Sequence, residues 1–321
     1  MLKKIVIAIV VATVIAALGF GIFIGIRDGI FADLYQDITD PVSFDINDTL
    51  PNSNGEVARV IILGGQSNAS GCSRVDYLEK NVSEEKFEEY KNGYDNVYIN
   101  YFVTGMNISD GFVRCAANQG ELGGFFGPEL GMAEKLNELY PDENFYIIKY
   151  AWGGTNLYDQ WLSPSSRGKT GQMYRQFEGF VKTSLEYLAS KGYDVKIEGM
   201  CWMQGESDSM ADSSTLSYEK NLLTLISDVR TTFAEYAAED GIAFIDAYIS
   251  ECIFWKNYVK LNQAKQTVAD SSSLNVVIDT IAEGLTVTEE PADEPDIAHY
   301  DSLSEIKLGN MFAEELAKFL Q

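Results

Sequence analysis

Histidine and positive charge are both scarce in this 321-residue chain, which has one histidine, His299, and 24 basic against 48 acidic residues. The resulting net charge of −24 argues against nucleic acid and against anionic membrane surfaces as partners, and it disfavours polyanionic substrates. Cysteine is sparse as well. Cys72, Cys115, Cys201 and Cys252 have no spacing that resembles a zinc site. Outside a cell they permit several pairings, Cys72 with Cys115 among them, while Cys201 beside Trp202 reads as a buried thiol. There is no internal repeat and no low-complexity block. Any chemistry that needs an imidazole has one residue to use.

One long apolar run is present. Met1-Leu2-Lys3-Lys4 precedes uncharged residues 5–26, and Asp28, Asp33, Asp37 and Asp40 follow them. As a helix this run would be about 33 Å long, enough to cross a hydrocarbon core of about 30 Å. Lysines before it and acids after it leave residues 1–4 as a cytoplasmic stub with the remainder outside. The expectation is an uncleaved transmembrane anchor. A cleaved signal is the other reading, because Ala17-Leu18-Gly19 resembles a cleavage site. Either way the chain is exported, membrane-bound or secreted. Residues 27–56 are acidic, carry Pro41 and Pro51, and read as a tether, part of which could instead pack on the domain through its apolar Phe31, Leu34, Tyr35 and Phe44.

Residues 57–321 alternate apolar runs of strand length with helical patterns. The strands expected are Val57–Leu63, Phe145–Tyr150, Ile197–Met203, Ile242–Ala247 and Val276–Asp279, with Asn96–Val103 as a sixth candidate. Pro128-Glu129 marks a helix start, Gly192 a stop, and Leu308, Phe312, Leu316 and Phe319 line a last helix. This alternation predicts an α/β fold with a mainly parallel five-stranded sheet covered by helices on both sides. Ligands in such sheets bind at the carboxyl ends of strands.

Polar and glycine-rich segments fall at those ends. Ser67 follows the first strand after Gly64-Gly65. Trp152-Gly153-Gly154 follows the second, and Gln204-Gly205-Glu206 the third. Asp296-Ile297-Ala298-His299 comes after the last. A serine hydroxyl needs a neighbouring base to become a nucleophile at neutral pH, and the base needs an orienting acid.

Five ordered blocks make the pattern specific: GGQSNASG (64–71), FGPELGMA (126–133), AWGGTNLYDQW (151–161), WMQGESD (202–208) and DIAHYDSLSEIKLGNMFA (296–313). Together they resemble the SGNH hydrolase superfamily, and within it the carbohydrate acetylesterases, both acetylxylan esterases and sialate O-acetylesterases. The resemblance implies a three-layer α/β/α sandwich of flavodoxin-like type. It also implies hydrolysis of acetyl esters on an oligo- or polysaccharide without metal or cofactor, through an acyl-enzyme. By position, Ser67 is the implied nucleophile and His299 the general base. The implied oxyanion donors are the backbone N–H of Ser67, one at Gly153 or Gly154, and the Gln204 side chain. Asp296 and Glu206 are both candidates for the triad acid. Gln66, Asn68 and Trp161 are expected to contact the substrate, Trp161 by stacking on a sugar ring. Met203 stands where these esterases often carry histidine, and Tyr300-Asp301-Ser302 favours the acetylxylan-esterase-like branch. An acetyltransferase on the same scaffold, or a non-catalytic glycan-binding protein, are the alternatives.

Overall fold

In the computed structural model, which describes residues 44–166 and 169–320, six parallel strands form the centre of the molecule. They are β1 (Val57–Gly65), β2 (Val97–Val103), β3 (Phe145–Ala151), β4 (Asp194–Met203), β5 (Ala243–Ala247) and β6 (Asn275–Ile278). Their order across the sheet is β6-β5-β4-β1-β3-β2, and two short antiparallel pieces, Asn107–Ile108 and Val113–Arg114, pair with β2. Eight strands therefore replace the five expected. The sixth candidate joins in parallel beside β3, and the two pieces on its far side are too short to carry a periodic signal.

The sheet is buried on both faces, which is why its strands read as continuous apolar runs. On β3, Lys149 points to one face and meets Glu129 of helix α4 (Pro128–Leu139), while Tyr150 points to the other and meets Gln176 of α5 (Gln172–Ser190). The last helix, α9 (Ser302–Ala317), shares the face of α4, and α7 (Asp212–Thr232) shares that of α5, Thr232 meeting Tyr174. Helices α4 and α9 cross at glycines. A Cβ on Gly131 would lie 2.1 Å from the Ile306 carbonyl, and one on Gly309 would lie 2.1 Å from that of Pro128. Backbone thus packs on backbone beneath the His299 loop.

Strand β1 lies between β3 and β4, so three carboxyl ends meet where the connections diverge to either side of the sheet. The chain leaves β1 into the four-residue helix α1 (Ser67–Ser70), leaves β3 into the 151–161 turn, and leaves β4 into α6 (Glu206–Ser209).

The run 5–26 and residues 27–43 of the expected tether lie outside the described residues. Among the described residues, no helix is long and apolar enough to cross a membrane. Residues 44–56 pack on the domain. Phe44 lies edge-on to Phe102 and Phe180 at 5.2 Å, and the N–H groups of Thr49 and Leu50 both donate to the Tyr187 hydroxyl at 2.9 Å. All four cysteines are free, so Cys72 and Cys115 form no bridge; each thiol donates elsewhere, to Glu121 and to the Glu129 carbonyl.

Candidate active site

Gly65 ends β1 with φ 141°, and a Cβ there would stand 2.0 Å from the Met203 carbonyl, so only glycine fits. The next residue, Gln66, donates its backbone N–H to that carbonyl at 2.9 Å and locks the turn to β4. Its carbonyl accepts from Ala69 and Ser70, which starts α1 with Ser67 as first residue, 9% exposed. These contacts fix the serine by backbone geometry rather than by its own side chain.

Asn68 then reaches across to the other end of the chain. Its Nδ2 donates to Glu206 Oε1 at 2.7 Å and to the Ala298 carbonyl at 3.4 Å, and its Oδ1 accepts the Tyr300 N–H at 3.2 Å. Ala298 and Tyr300 flank His299, so one side chain beside Ser67 holds both neighbours of the only histidine. On the imidazole itself, Nδ1 lies 2.6 Å from Asp296 Oδ2. Asp296 Oδ1 accepts the Ala298 N–H at 3.2 Å, which orients the carboxylate.

Burial works against the His299 imidazolium, but the bond to Asp296 and the charges of Asp296, Glu121 and Glu206 outweigh it and raise its pKa above the usual value. Asp296 shows the reverse balance. Burial raises it, and the His299 contact lowers it further, for a net depression. Glu206 is fully buried, so desolvation raises its pKa despite the Asn68 bond, and its Oε2 has no partner. It bonds to Asn68, whereas Asp296 bonds to the ring.

Three expected substrate contacts need correction. The Gln66 side chain turns inward, its Oε1 accepting from Gln204 Nε2 at 3.2 Å and from the Gly205 and Ser207 N–H groups at 3.3 Å. Asn68 is 1% exposed and works as the staple just described. Trp161 is fully buried against Trp202 and Phe177, and its indole N–H donates to Thr155 Oγ1 at 2.8 Å, so no sugar can stack on it. The expected oxyanion role of Gln204 is corrected too. Its amide is buried and donates to Asp208 Oδ2 (2.7 Å), the Thr155 carbonyl (3.1 Å) and Gln66, leaving no hydrogen for a ligand.

Asp208 closes the block at 202–208 and has a structural task. Its carboxylate also accepts the N–H groups of Leu157 (2.8 Å) and Tyr158 (3.0 Å), pinning the loop after β3 to the turn after β4. Burial pushes its pKa up to about 6 against these three bonds. Asp301 does similar work beneath His299, accepting from Thr288, Glu289 and Glu290 N–H at 2.8–3.2 Å. Both stand in motif blocks, two residues from a candidate site residue, Glu206 or His299, and that adjacency is the signal the sequence offers. Glu121 had none, lying in the glycine-rich stretch 119–124. Its Oε1 sits 2.6 Å from where a Gly153 Cβ would be. Gly154, with φ 71°, completes that turn.

Among the described residues, no group of three His, Cys, Asp or Glu side chains gathers in a way that would hold a metal ion. The arrangement offers an alcohol at a helix start, an imidazole polarised by a carboxylate, and glycine backbone on the facing turn.

The family described as carbohydrate esterase, sialic acid-specific acetylesterase, matches residues 57–318. No curated protein matches the chain. Solved structures similar to it include a protein from Arabidopsis thaliana at 19% identity and TM-score 0.59, covering 84% of this chain and 100% of that one. NanS is similar at 16% identity and TM-score 0.60, over 84% and 99%. A carbohydrate acetylesterase from Xanthomonas citri is similar at 12% and 0.52, over 81% of this chain and 56% of that one. At these identities the likeness speaks to the fold. The family match extends from β1 to the end of α9, and with it the chain belongs to this family of carbohydrate esterases, the acetylesterases.

Proposed function

We propose that the chain is an exported serine esterase that hydrolyses O-acetyl groups on sugars through Ser67, His299 and Asp296. The observation that carries this reading is the Asn68 staple. The side chain next to Ser67 binds both residues flanking His299, while Asp296 occupies Nδ1 and leaves Nε2 as the base. His299 Nε2 takes the Ser67 proton as Oγ attacks the acetyl carbonyl. The tetrahedral oxyanion then draws on backbone N–H groups at Ser67 and at Gly153 or Gly154. Collapse breaks the bond to the sugar oxygen, which receives the proton from His299. Water, deprotonated by the same imidazole, then releases acetate and restores Ser67. Asp296 stabilises the imidazolium in both halves. Glu206 supports Asn68 and is a positioning residue.

Export rests on the sequence alone, with residues 5–26 as the anchor or signal. The test compares acetate release from acetylated xylan by Ser67→Ala, Asp296→Asn and Glu206→Gln. Asp296→Asn is expected to lower kcat on the order of 10⁴-fold, and Glu206→Gln far less. A larger loss for Glu206→Gln would transfer the triad role to it. Unchanged release by Ser67→Ala would end the serine mechanism.

A further inference from the structure

Glu121 stands out among the groups the mechanism leaves unused. Its Oε2 accepts the Cys72 thiol at 2.7 Å and its Oε1 accepts the Thr104 hydroxyl at 2.8 Å, while its backbone N–H donates to the Gly71 carbonyl at 2.8 Å. Cys72 belongs to the segment after Ser67, and Thr104 follows β2 at the edge of the same sheet end. Thr104 holds a φ of 52°, a left-handed conformation that is costly for a β-branched residue and that is found where surrounding structure enforces it. Two separate segments are thus arranged to seat one carboxylate on Gly153, a residue the proposed mechanism uses as a backbone donor to the oxyanion. Oxygens that already accept one bond each keep lone pairs for a ligand. The strongest charges acting on the His299 ring, those of Asp296, Glu121 and Glu206, are all negative.

We infer that Glu121 selects the substrate by charge: it accepts a hydrogen bond from a hydroxyl of an uncharged sugar beside the acetyl ester and repels sugars that carry a carboxylate. This rests on the esterase reading above and narrows it. The preferred substrate is an O-acetylated neutral saccharide rather than O-acetylated sialic acid, although the family description names the latter. The fixed negative charge next to the oxyanion position is tolerated because the same charge favours the imidazolium that forms in the transition state.

The test measures kcat/KM for an acetylated xylo-oligosaccharide and for 9-O-acetyl-N-acetylneuraminic acid, with wild type and Glu121→Gln. Wild type is expected to favour the neutral substrate. The amide is expected to raise the ratio of anionic to neutral kcat/KM on the order of tenfold, the low end for one unit charge a few ångströms away under partial screening. Should the amide fold poorly, Glu121→Ala gives the same readout, and salt supplements it on wild type. Raising ionic strength should increase kcat/KM for the sialic acid ester and leave that for the neutral ester nearly flat. Equal use of both esters by wild type, or a ratio unmoved by both Glu121→Gln and salt, overturns the charge selection while leaving the esterase reading intact. Absence of acetate release from either ester, with Ser67→Ala indistinguishable from wild type, sinks the esterase reading instead.

Discussion

Glu305 should make the folded protein less stable as pH rises, and replacing it with glutamine should remove that dependence. The residue sits in the first turn of α9, is fully buried, and has no hydrogen-bond partner on either carboxyl oxygen. The cation on that face, Lys149, is already engaged by Glu129 at 2.6 Å and by the Gln119 carbonyl at 3.0 Å. Desolvation, and then the Glu129 charge, push the Glu305 pKa well above the ordinary value, with Lys149 only partly opposing them. The folded chain therefore keeps a proton that the unfolded chain releases above about pH 4.3. Where the folded state binds more protons, stability falls as pH rises, by about 1.4 kcal/mol per pH unit, from the unfolded pKa up to the raised folded one. The loss accumulates at this slope for as long as the folded carboxyl stays protonated, each kcal/mol amounting to roughly 2–4 °C in Tm for a domain of this size.

Urea unfolding of wild type and Glu305→Gln at pH 5, 6 and 7 isolates the effect. Whatever the amide costs at one pH, it cannot titrate, so the difference between the two chains should shift steadily in favour of the variant as pH rises. Asp208 and Asp246, also raised by burial, titrate in both chains and cancel in the comparison. Parallel stability profiles from pH 5 to 7 would refute the reasoning, since they require Glu305 to ionise in the folded state as readily as in the unfolded one.

The crossing of α4 and α9 gives a second prediction. Gly131→Ala or Gly309→Ala would drive a methyl group to within 2.1 Å of a carbonyl oxygen on the opposite helix. Each is expected to cost about 2–3 kcal/mol by urea titration, at the upper end for overpacking. A third concerns the pH dependence of activity. The raised His299 pKa means that kcat/KM should fall tenfold per pH unit below that value, because the imidazolium cannot take the serine proton. Asp296→Asn removes the main influence that raises it, so the acid limb of the residual activity should move to lower pH. A limb that stays in place would mean that another group titrates there.

Much of the scaffold was legible because buried parallel strands leave a plain trace. Phe145–Ala151 is buried at every position and reads as an unbroken apolar run, except for Lys149. That lysine was legible only as an oddity, because its partner Glu129 lies on another element and pairs with it through the fold. The edge was less visible. Asn107–Ile108 and Val113–Arg114 are two residues each, and their pairing is decided by β2 beside them rather than by their own composition. The end of the tether left only a weak trace for a related reason. Phe44 and Leu50 are isolated apolar residues in an acidic stretch, and only the groove between Phe102 and Phe180 gives Phe44 a place to go.

The motif blocks located the site but did not say which way their side chains face. An amide such as Gln66, Asn68 or Gln204 carries both donors and acceptors, so it suits a substrate hydroxyl and a strained internal turn equally well. Here the turns won. Loops at three neighbouring strand ends carry many backbone N–H and C=O groups with no ladder to satisfy them, and buried polar groups left unpaired are costly. Gln66 takes up the Gly205 and Ser207 N–H groups, Asp208 those of Leu157 and Tyr158, and Asn68 the backbone on both sides of His299. Trp161 follows the same logic, since Thr155 satisfies its one polar atom and nothing then holds the ring at the surface. Within the blocks, then, most polar side chains build the floor, and the proposed mechanism draws on Ser67, His299, Asp296 and the Gly153 backbone. On this reading the blocks carry the reaction, while the choice of sugar falls to a residue outside them, Glu121, which sits on Gly153 with no pattern in the sequence to announce it.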